Sequence, residues 1–161
     1  MSRPHVWRAE PHEADAVGRL LVDFRNHLEK SWPSENAILA SVERLIEDPN
    51  TDFLLASPDE DSPPAGVCQL RYRHSVWTAA PDCWLEDLFV AEHARRSGCG
   101  AALVEAAIER ARDRGCRRIE LDTSERNEPA LALYHRMGFS EYAKGPGRDI
   151  FLGRKIEQPA S

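Results

Sequence analysis

The 161-residue chain contains no apolar run near the roughly 18 residues that a membrane-spanning helix needs. Its N-terminus, MSRPHVWRAE, lacks the basic and apolar layout of a signal peptide and the Arg/Ser-rich pattern of a transit peptide. The balance of 42% hydrophobic and 30% charged residues is ordinary for a soluble domain. We therefore expect one soluble domain over residues 1–161, located in the cytoplasm and with no membrane partner.

The cysteines and histidines show no metal-binding spacing. Cys68, Cys83, Cys99 and Cys116 form no CxxC pair, and none of them stands near a pair of histidines at zinc-ligand spacing. We therefore predict no metal site and four reduced, structural thiols.

Positive charge is also scarce, since the formal net charge is −6. This balance argues against nucleic acid as a partner, because binding its phosphates requires a basic surface. The first 60 residues hold twelve Asp/Glu and only six Lys/Arg, so the acidic excess lies there. That region either faces a cationic substrate or simply has solvated helix faces, and the sequence leaves both readings open.

Hydrophobic periodicity and turn residues predict eleven elements in the order βααβββαβαββ. Ser34 is the expected cap of the second helix, and Gly115 is expected to end the third. This order predicts an α+β (α/β) fold around a mixed sheet. The expected strands cover 5–9, 51–56, 65–74, 83–90, 118–123, 139–143 and 149–154, and the expected helices cover 13–30, 34–46, 98–114 and 127–137.

The segment 95–100, Arg-Arg-Ser-Gly-Cys-Gly, joins a predicted strand to a predicted helix. Gly98 and Gly100 remove two Cβ atoms at the helix start, so backbone N–H groups can approach an anion, and Arg95 and Arg96 add positive charge. Tight packing of the junction is the alternative reading. Neither a P-loop Gly-Lys-Ser/Thr nor a GxGxxG pattern is present, which favours a cofactor held by its pyrophosphate over a nucleotide cleaved there.

Two ordered motifs carry a family resemblance. Leu85-Glu86-Asp87-Leu88-Phe89-Val90, followed by Arg95-x-x-Gly98-x-Gly100, resembles the acyl-CoA signature of the GNAT superfamily of N-acetyltransferases. The later segment from Asn127 to Phe139, with Ala130, Tyr134 and Gly138 between them, resembles the next motif of that superfamily.

The resemblance implies a GNAT-like mixed, mostly antiparallel twisted sheet of about seven strands with four helices, splayed between the strands at 83–90 and 118–123. It implies acetyl-CoA as the cofactor, with pantetheine entering the splay and pyrophosphate lying on the backbone from 95 to 101. Cys99 stands where the family usually has an aliphatic residue; it would contribute its N–H while its side chain faces the core. The implied cofactor-binding residues are Leu88, Phe89, Val90, Arg95, Arg96, Ser97, Gly98, Cys99, Gly100, Ala101, Asn127, Ala130 and Tyr134.

The resemblance also suggests two catalytic residues. The Tyr134 phenol, with an ordinary pKa of about 10, stays protonated at neutral pH and can protonate the departing thiolate. Glu86 is the candidate base, directly or through a water; the alternative is an exposed carboxylate paired with Arg71 or Arg73 across a hairpin. Asp87, on the opposite face of the strand, is interpreted as structural.

The acceptor site is expected near the first helix, where family members build it. The candidates are Arg25, His27, Trp32, Trp77 and Trp84, whose aromatic rings could hold a cationic amine. The alternative is that the tryptophans belong to the core.

These inferences predict an enzyme that transfers an acetyl group from acetyl-CoA directly to a primary amine of a small molecule: a polyamine, an aminoglycoside-like compound or an amino acid. The alternatives are a protein or peptide amine as acceptor and a non-catalytic acyl-CoA-binding module. Homodimer formation, frequent in the family, stays open.

Overall fold

In a computed structural model, residues 3–141, 143–144, 147–148 and 150–160 are described. They form four α-helices, two short 3₁₀ turns, a five-stranded sheet and a separate two-stranded pair. The helices are α1 (Ala14–His27), α2 (Glu35–Leu45), α3 (Cys99–Asp113) and α4 (Glu128–Arg136). The strands are β1 (His5–Arg8), β2 (Thr51–Ser57), β3 (Gly66–Ser75), β4 (Ala80–Val90), β5 (Ile119–Glu120), β6 (Ala143–Lys144) and β7 (Gly147–Arg148).

The main sheet has the order β1-β2-β3-β4-β5, antiparallel except for the parallel pair β4 and β5. The mixed, mostly antiparallel sheet and the four helices are therefore confirmed. The expectation of about seven strands in one sheet is wrong, because β6 and β7 pair only with each other. Of the strand expected at 149–154, residues 150–154 have no regular secondary structure and residue 149 lies outside the described part of the chain.

The predicted splay between β4 and β5 is confirmed. The two strands pair only where Cys83 lies opposite Ile119 and Trp84 opposite Glu120. Asp82 anchors this closed end through a 2.9 Å contact with Arg118. Beyond Leu85, β4 continues to Val90 with β3 on one side and, within the described part of the chain, no strand on the other.

Two cores lie on opposite faces of the sheet. On one face, α1 and α2 pack on the sheet around Val17, Val42 and Phe53. On the other face, α3 packs through Leu103 and Ala107. Because both faces are covered, β2 is buried on both sides, and all seven of its residues are buried.

A β-bulge in β4 decides which side chains reach which face. Gln69 pairs with Asp87 and Leu70 pairs with Leu85, so Glu86 is the extra residue. Leu85 and Leu88 consequently share the face covered by α3, although they are three residues apart. Regular alternation would have placed Leu85 and Asp87 on one face; the bulge separates them.

Local signals fix the helix ends as expected. The Ser34 side chain accepts a hydrogen bond from the Ala37 N–H at 3.1 Å and caps α2. Gly115, with φ of +78°, follows α3, and Gly98, with φ of +88°, precedes it. Asn127 caps α4 by accepting from the Ala130 N–H at 3.3 Å. Within the described residues, no helix is long and apolar enough to cross a membrane.

Candidate active site

Two cavities meet beside the bulge of β4. The larger, of about 690 Å³, lies between the splayed end of β4, the start of α3 and α4. The smaller, of about 440 Å³, lies between α1, α2 and the sheet. Phe24, Leu28 and Asp87 line both cavities, so the two spaces share a wall. We call the larger one the cleft and the smaller one the apolar pocket.

The cleft brings together nearly all of the residues predicted to bind the cofactor, although they come from three separate parts of the chain. Ser97 is the exception: its hydroxyl donates to the Ala94 carbonyl and does not line the cleft. The predicted residues that do line it are Leu88, Phe89, Val90, Arg95, Arg96, Gly98, Cys99, Gly100, Ala101, Asn127, Ala130 and Tyr134.

The start of α3 presents a row of backbone donors. None of the six N–H groups from Arg96 to Ala101 has a hydrogen-bond acceptor among the described residues; the first helical bond in this region runs from the Ala102 N–H to the Gly98 carbonyl at 3.0 Å. Arg96 (φ +66°) and Gly98 both adopt left-handed conformations. Turns of this kind, at the positive end of a helix dipole, form anion-binding concavities. The row fits a phosphate group of a bound cofactor.

Gly100 keeps part of the cleft open. A Cβ added there would lie 3.6 Å from Leu133 Cδ2 and 3.9 Å from Val90 Cγ2, which are ordinary contacts. The missing side chain therefore leaves cleft volume without relieving a clash. Cys99, between the two glycines, is 1% exposed and packs into the core under α3, as expected from the sequence.

The rim of the cleft is cationic and aromatic. Arg95 donates through Nε to the Val90 carbonyl at 3.1 Å, and its guanidinium lies 5.9 Å from the centre of the Phe89 ring. Its Nη2 lies 3.5 Å from Nδ1 of His27, and the His27 ring lies 5.9 Å from that of Phe89. His27 thus lines the cleft and not the apolar pocket.

Tyr134 is 8% exposed and lines the cleft from α4. Burial, and secondarily the ionisable Cys68 thiol nearby, raises the pKa of Tyr134 to about 12. Its hydroxyl has no hydrogen-bond partner among the residues described here. A buried, protonated phenol free of protein partners can donate a proton to a group bound in the cleft.

Two adjacent carboxyl groups face the cleft from the bulge. Glu86 is exposed, and it forms no ion pair with Arg71, Arg73 or any other described residue. Asp87 is half-buried and likewise has no polar side-chain partner in the described chain. Burial, and then the neighbouring charge of Glu86, raises the pKa of the Asp87 carboxyl to about 6. The interpretation of Asp87 as structural is therefore replaced: it is a free carboxyl at the junction of both cavities.

Of the residues predicted for the acceptor site, Arg25 and Trp32 line the apolar pocket. Arg25 donates through Nη1 to the Pro33 carbonyl at 2.7 Å, which ties the segment after α1 to that helix. Trp77 and Trp84 line neither cavity: Trp77 is 94% exposed in the turn between β3 and β4, and Trp84 lies at the closed end of β4. The structure does not bring these two to the site, because the bulge and the splay open at the other end of that strand.

Sequence reasoning missed several residues that line the cleft besides Asp87. Leu121 and Thr123, just after β5, lie across the cleft from β4. Leu133 and Arg136 continue the face of α4 that carries Ala130, and their spacing of three residues was the available signal. Phe24 and Leu28 of α1 had no such signal, since they follow the ordinary pattern of a core-facing helix. The described residues contain no group of side chains that could hold a metal ion.

An open strand edge beside a helix start rich in free N–H groups defines a site for an elongated, phosphate-bearing cofactor. A model of the acetyltransferase (GNAT) family matches residues 18–139, most of the chain. The chain belongs to this family. It is an acetyl-CoA-dependent acetyltransferase, and the resemblance noted in its sequence is confirmed.

Similar proteins agree with this assignment. The uncharacterized N-acetyltransferase YhfO of Bacillus subtilis is 28% identical, over 85% of this chain and 90% of its own. An aminoglycoside N(6')-acetyltransferase type 1 of Klebsiella aerogenes is 41% identical, over 70% of this chain and 78% of its own. The solved structure of a candidate acetyltransferase of Arthrobacter sp. FB24 is 26% identical with a TM-score of 0.82, over 94% of this chain and 96% of its own.

Proposed function

We propose that the protein acetylates the primary amine of a small molecule by direct transfer from acetyl-CoA. The observation that carries this proposal is the free Asp87 carboxyl at the wall shared by the two cavities. A carboxylate there faces both the space suited to the cofactor and a second space suited to an acceptor. The relative from Klebsiella aerogenes, named for an aminoglycoside acceptor, supports a small-molecule amine.

The cleft residues would hold the cofactor, which supplies the acetyl thioester. The N–H row from Arg96 to Ala101 would donate hydrogen bonds to its pyrophosphate, and the edge of β4 from Leu88 to Val90 would pair with the amides of its pantetheine arm. Ser97 contributes its N–H only. Asn127, Ala130 and Tyr134 close the other side of the cleft.

The remaining residues act on protons. Asp87 binds the acceptor ammonium and accepts one proton, which frees the nitrogen lone pair to attack the acetyl carbon. Its raised pKa suits this role, because a base works best when its pKa lies near the operating pH. Glu86 is the base that the sequence favoured. In this proposal its negative charge helps to raise the pKa of Asp87.

Tyr134 would protonate the departing thiolate of the cofactor when the acetyl group passes to the amine. The ammonium would lose two protons in all: one would leave through Asp87 to solvent, and the other would restore the Tyr134 phenol. The products are a neutral amide and free CoA.

The test is an acceptor screen that measures release of free CoA from acetyl-CoA with small amines, amino acids, aminoglycosides and peptides. We expect turnover with at least one small primary amine. The matched variant is Tyr134→Phe, whose kcat should fall about 100-fold. This is the low end of the range for loss of a general acid, because a thiolate leaves readily without a proton. Turnover confined to peptide or protein amines, or acetyl-CoA binding with no release for any amine, would contradict the proposal.

A further inference from the structure

Most of the residues that line the apolar pocket are hydrophobic. Leu21, Phe24, Ile38, Val42 and Phe53 come from α1, α2 and β2 and surround a space of about 440 Å³. Such a volume is in the usual range for small-molecule sites. The pocket therefore offers apolar surface on several sides to whatever enters it.

The polar lining residues of this pocket are Ser41 on α2, the pair Gln69 and Asp87 on the sheet, and two cations. Gln69 and Asp87, neighbours across β3 and β4, line it from the sheet. Gln69 is 5% exposed, and neither side chain has a polar partner among the described residues. The other charged lining residues, Arg25 and Lys30, are both cations, and Arg25 is bound to the Pro33 carbonyl.

The pocket thus provides for one positive charge. Asp87 is the only carboxyl group among the described lining residues, and it belongs to the wall shared with the cleft. A second ammonium in the pocket would meet apolar walls, the Ser41 hydroxyl or the two cations, and no second carboxylate among the described lining residues would offset the hydration that it loses. An alkyl or aryl group in the same place would be favoured by burial.

We propose that the acceptor is a primary amine attached to an alkyl or aryl group, with its ammonium at Asp87 and its apolar body in the pocket. This inference rests on the proposed function and deepens it, since it separates apolar monoamines from polyamines and aminoglycosides. The Gln69 amide adds a hydrogen-bonding group beside the ammonium.

The test compares matched acceptors in the CoA-release reaction. Hexylamine and 1,5-diaminopentane have equal length and differ in a terminal methyl against a terminal ammonium. We expect kcat/KM to be at least about 10-fold higher for hexylamine, as for other apolar pockets that discriminate at a single group. The kcat/KM for phenethylamine should be similar to that for hexylamine, whereas the values for spermidine and an aminoglycoside should be similar to that for the diamine.

A second test of the proposal substitutes a residue in the wall that the pocket shares with the cleft. Leu28 is 48% exposed and lines both cavities, so a polar side chain there need not disturb the core. Leu28→Glu adds a second carboxylate and should raise the diamine-to-hexylamine ratio of kcat/KM by about 10-fold. Leu28→Gln introduces a side chain of the same shape as glutamate but without its charge. It should leave that ratio within about threefold of the wild-type ratio.

The outcomes separate the two proposals. Turnover of the diamine, spermidine or the aminoglycoside with kcat/KM equal to or above that of hexylamine would overturn the apolar acceptor and leave the proposed function standing. An equal change of ratio in Leu28→Glu and Leu28→Gln would also overturn it, because charge would not be the cause. No release of CoA with any amine, while CoA binds in calorimetry, would reject the proposed function and this inference with it.

Discussion

The cleft and the apolar pocket share a wall, but the cleft is formed mainly by backbone groups and the pocket by side chains. The cleft depends on main-chain groups: a splayed strand edge and, at a helix start, six N–H donors that have no acceptor among the described residues. The pocket depends on side chains from α1, α2 and β2 that ordinarily pack a core. Backbone geometry can hold one cofactor in many related chains, whereas side-chain walls can be changed to suit an acceptor. The difference predicts that cofactor binding and acceptor choice respond to separate substitutions.

The largest expected effect comes from the carboxyl group that lines both cavities. Asp87→Asn keeps the shape and removes the charge, so it should lower kcat/KM for the acceptor by about 10²-fold to 10⁴-fold, the range for loss of a general base. CoA binding in calorimetry should persist, because the N–H row of α3 is untouched. An Asp87→Asn enzyme with near-normal turnover, alongside an inactive Glu86→Gln enzyme, would return the role of base to Glu86.

An intermediate effect is expected from filling the cleft without touching the pocket. Gly100→Ala places a methyl in cleft volume beside Leu133 and should raise KM for acetyl-CoA about 10-fold, with KM for the amine unchanged. The thermal midpoint should not fall, since Ala favours helix over Gly by about 1 kcal/mol and meets no close contact. Equal increases in both KM values would contradict the separation of the two cavities.

The smallest effect is a pH shift at the carboxyl pair. The negative charge of Glu86 helps to raise the pKa of Asp87 to about 6, so Glu86→Gln should lower that pKa. Asp87 would then stay deprotonated to lower pH, and the acid limb of the kcat/KM profile should move to lower pH. Near pH 8, where Asp87 is ionised in both enzymes, rates should agree within about threefold.

A matched control for this shift is Glu43→Gln. Glu43 is exposed on α2 and lines neither cavity, so its profile should coincide with that of wild type. A shift of the acid limb to higher pH in Glu86→Gln, or a loss of rate at every pH, would show that Glu86 does more than repel charge.

Predictions from the sequence succeeded where the determinants are local. Ser34, Gly115 and the two glycines around Cys99 mark helix ends through short-range geometry, so the bounds of α2 and α3 were close to those observed. The cofactor motif is likewise a continuous loop and helix start. Its residues therefore reached the cleft as expected, apart from the Ser97 side chain.

Predictions failed where position depends on pairing between distant segments. Strand alternation placed Asp87 with Leu85, but the register with β3 inserts Glu86 as a bulge and turns Asp87 toward α1 and α2. Trp77 and Trp84 carried the right chemistry for an acceptor site but lie at the closed end of β4. The composition of one strand does not indicate where its pairing with a neighbouring strand ends.

The sequence by itself determined the order of elements, because capping residues, glycines and hydrophobic periodicity act over a few neighbouring residues. The family and the cofactor followed from the resemblance of two short motifs, which are also local. Only the tertiary structure decided that Asp87 stands free between two cavities and that one of these cavities is apolar. The bulge, the splay and the pocket all depend on strand register and helix packing, which no local segment encodes.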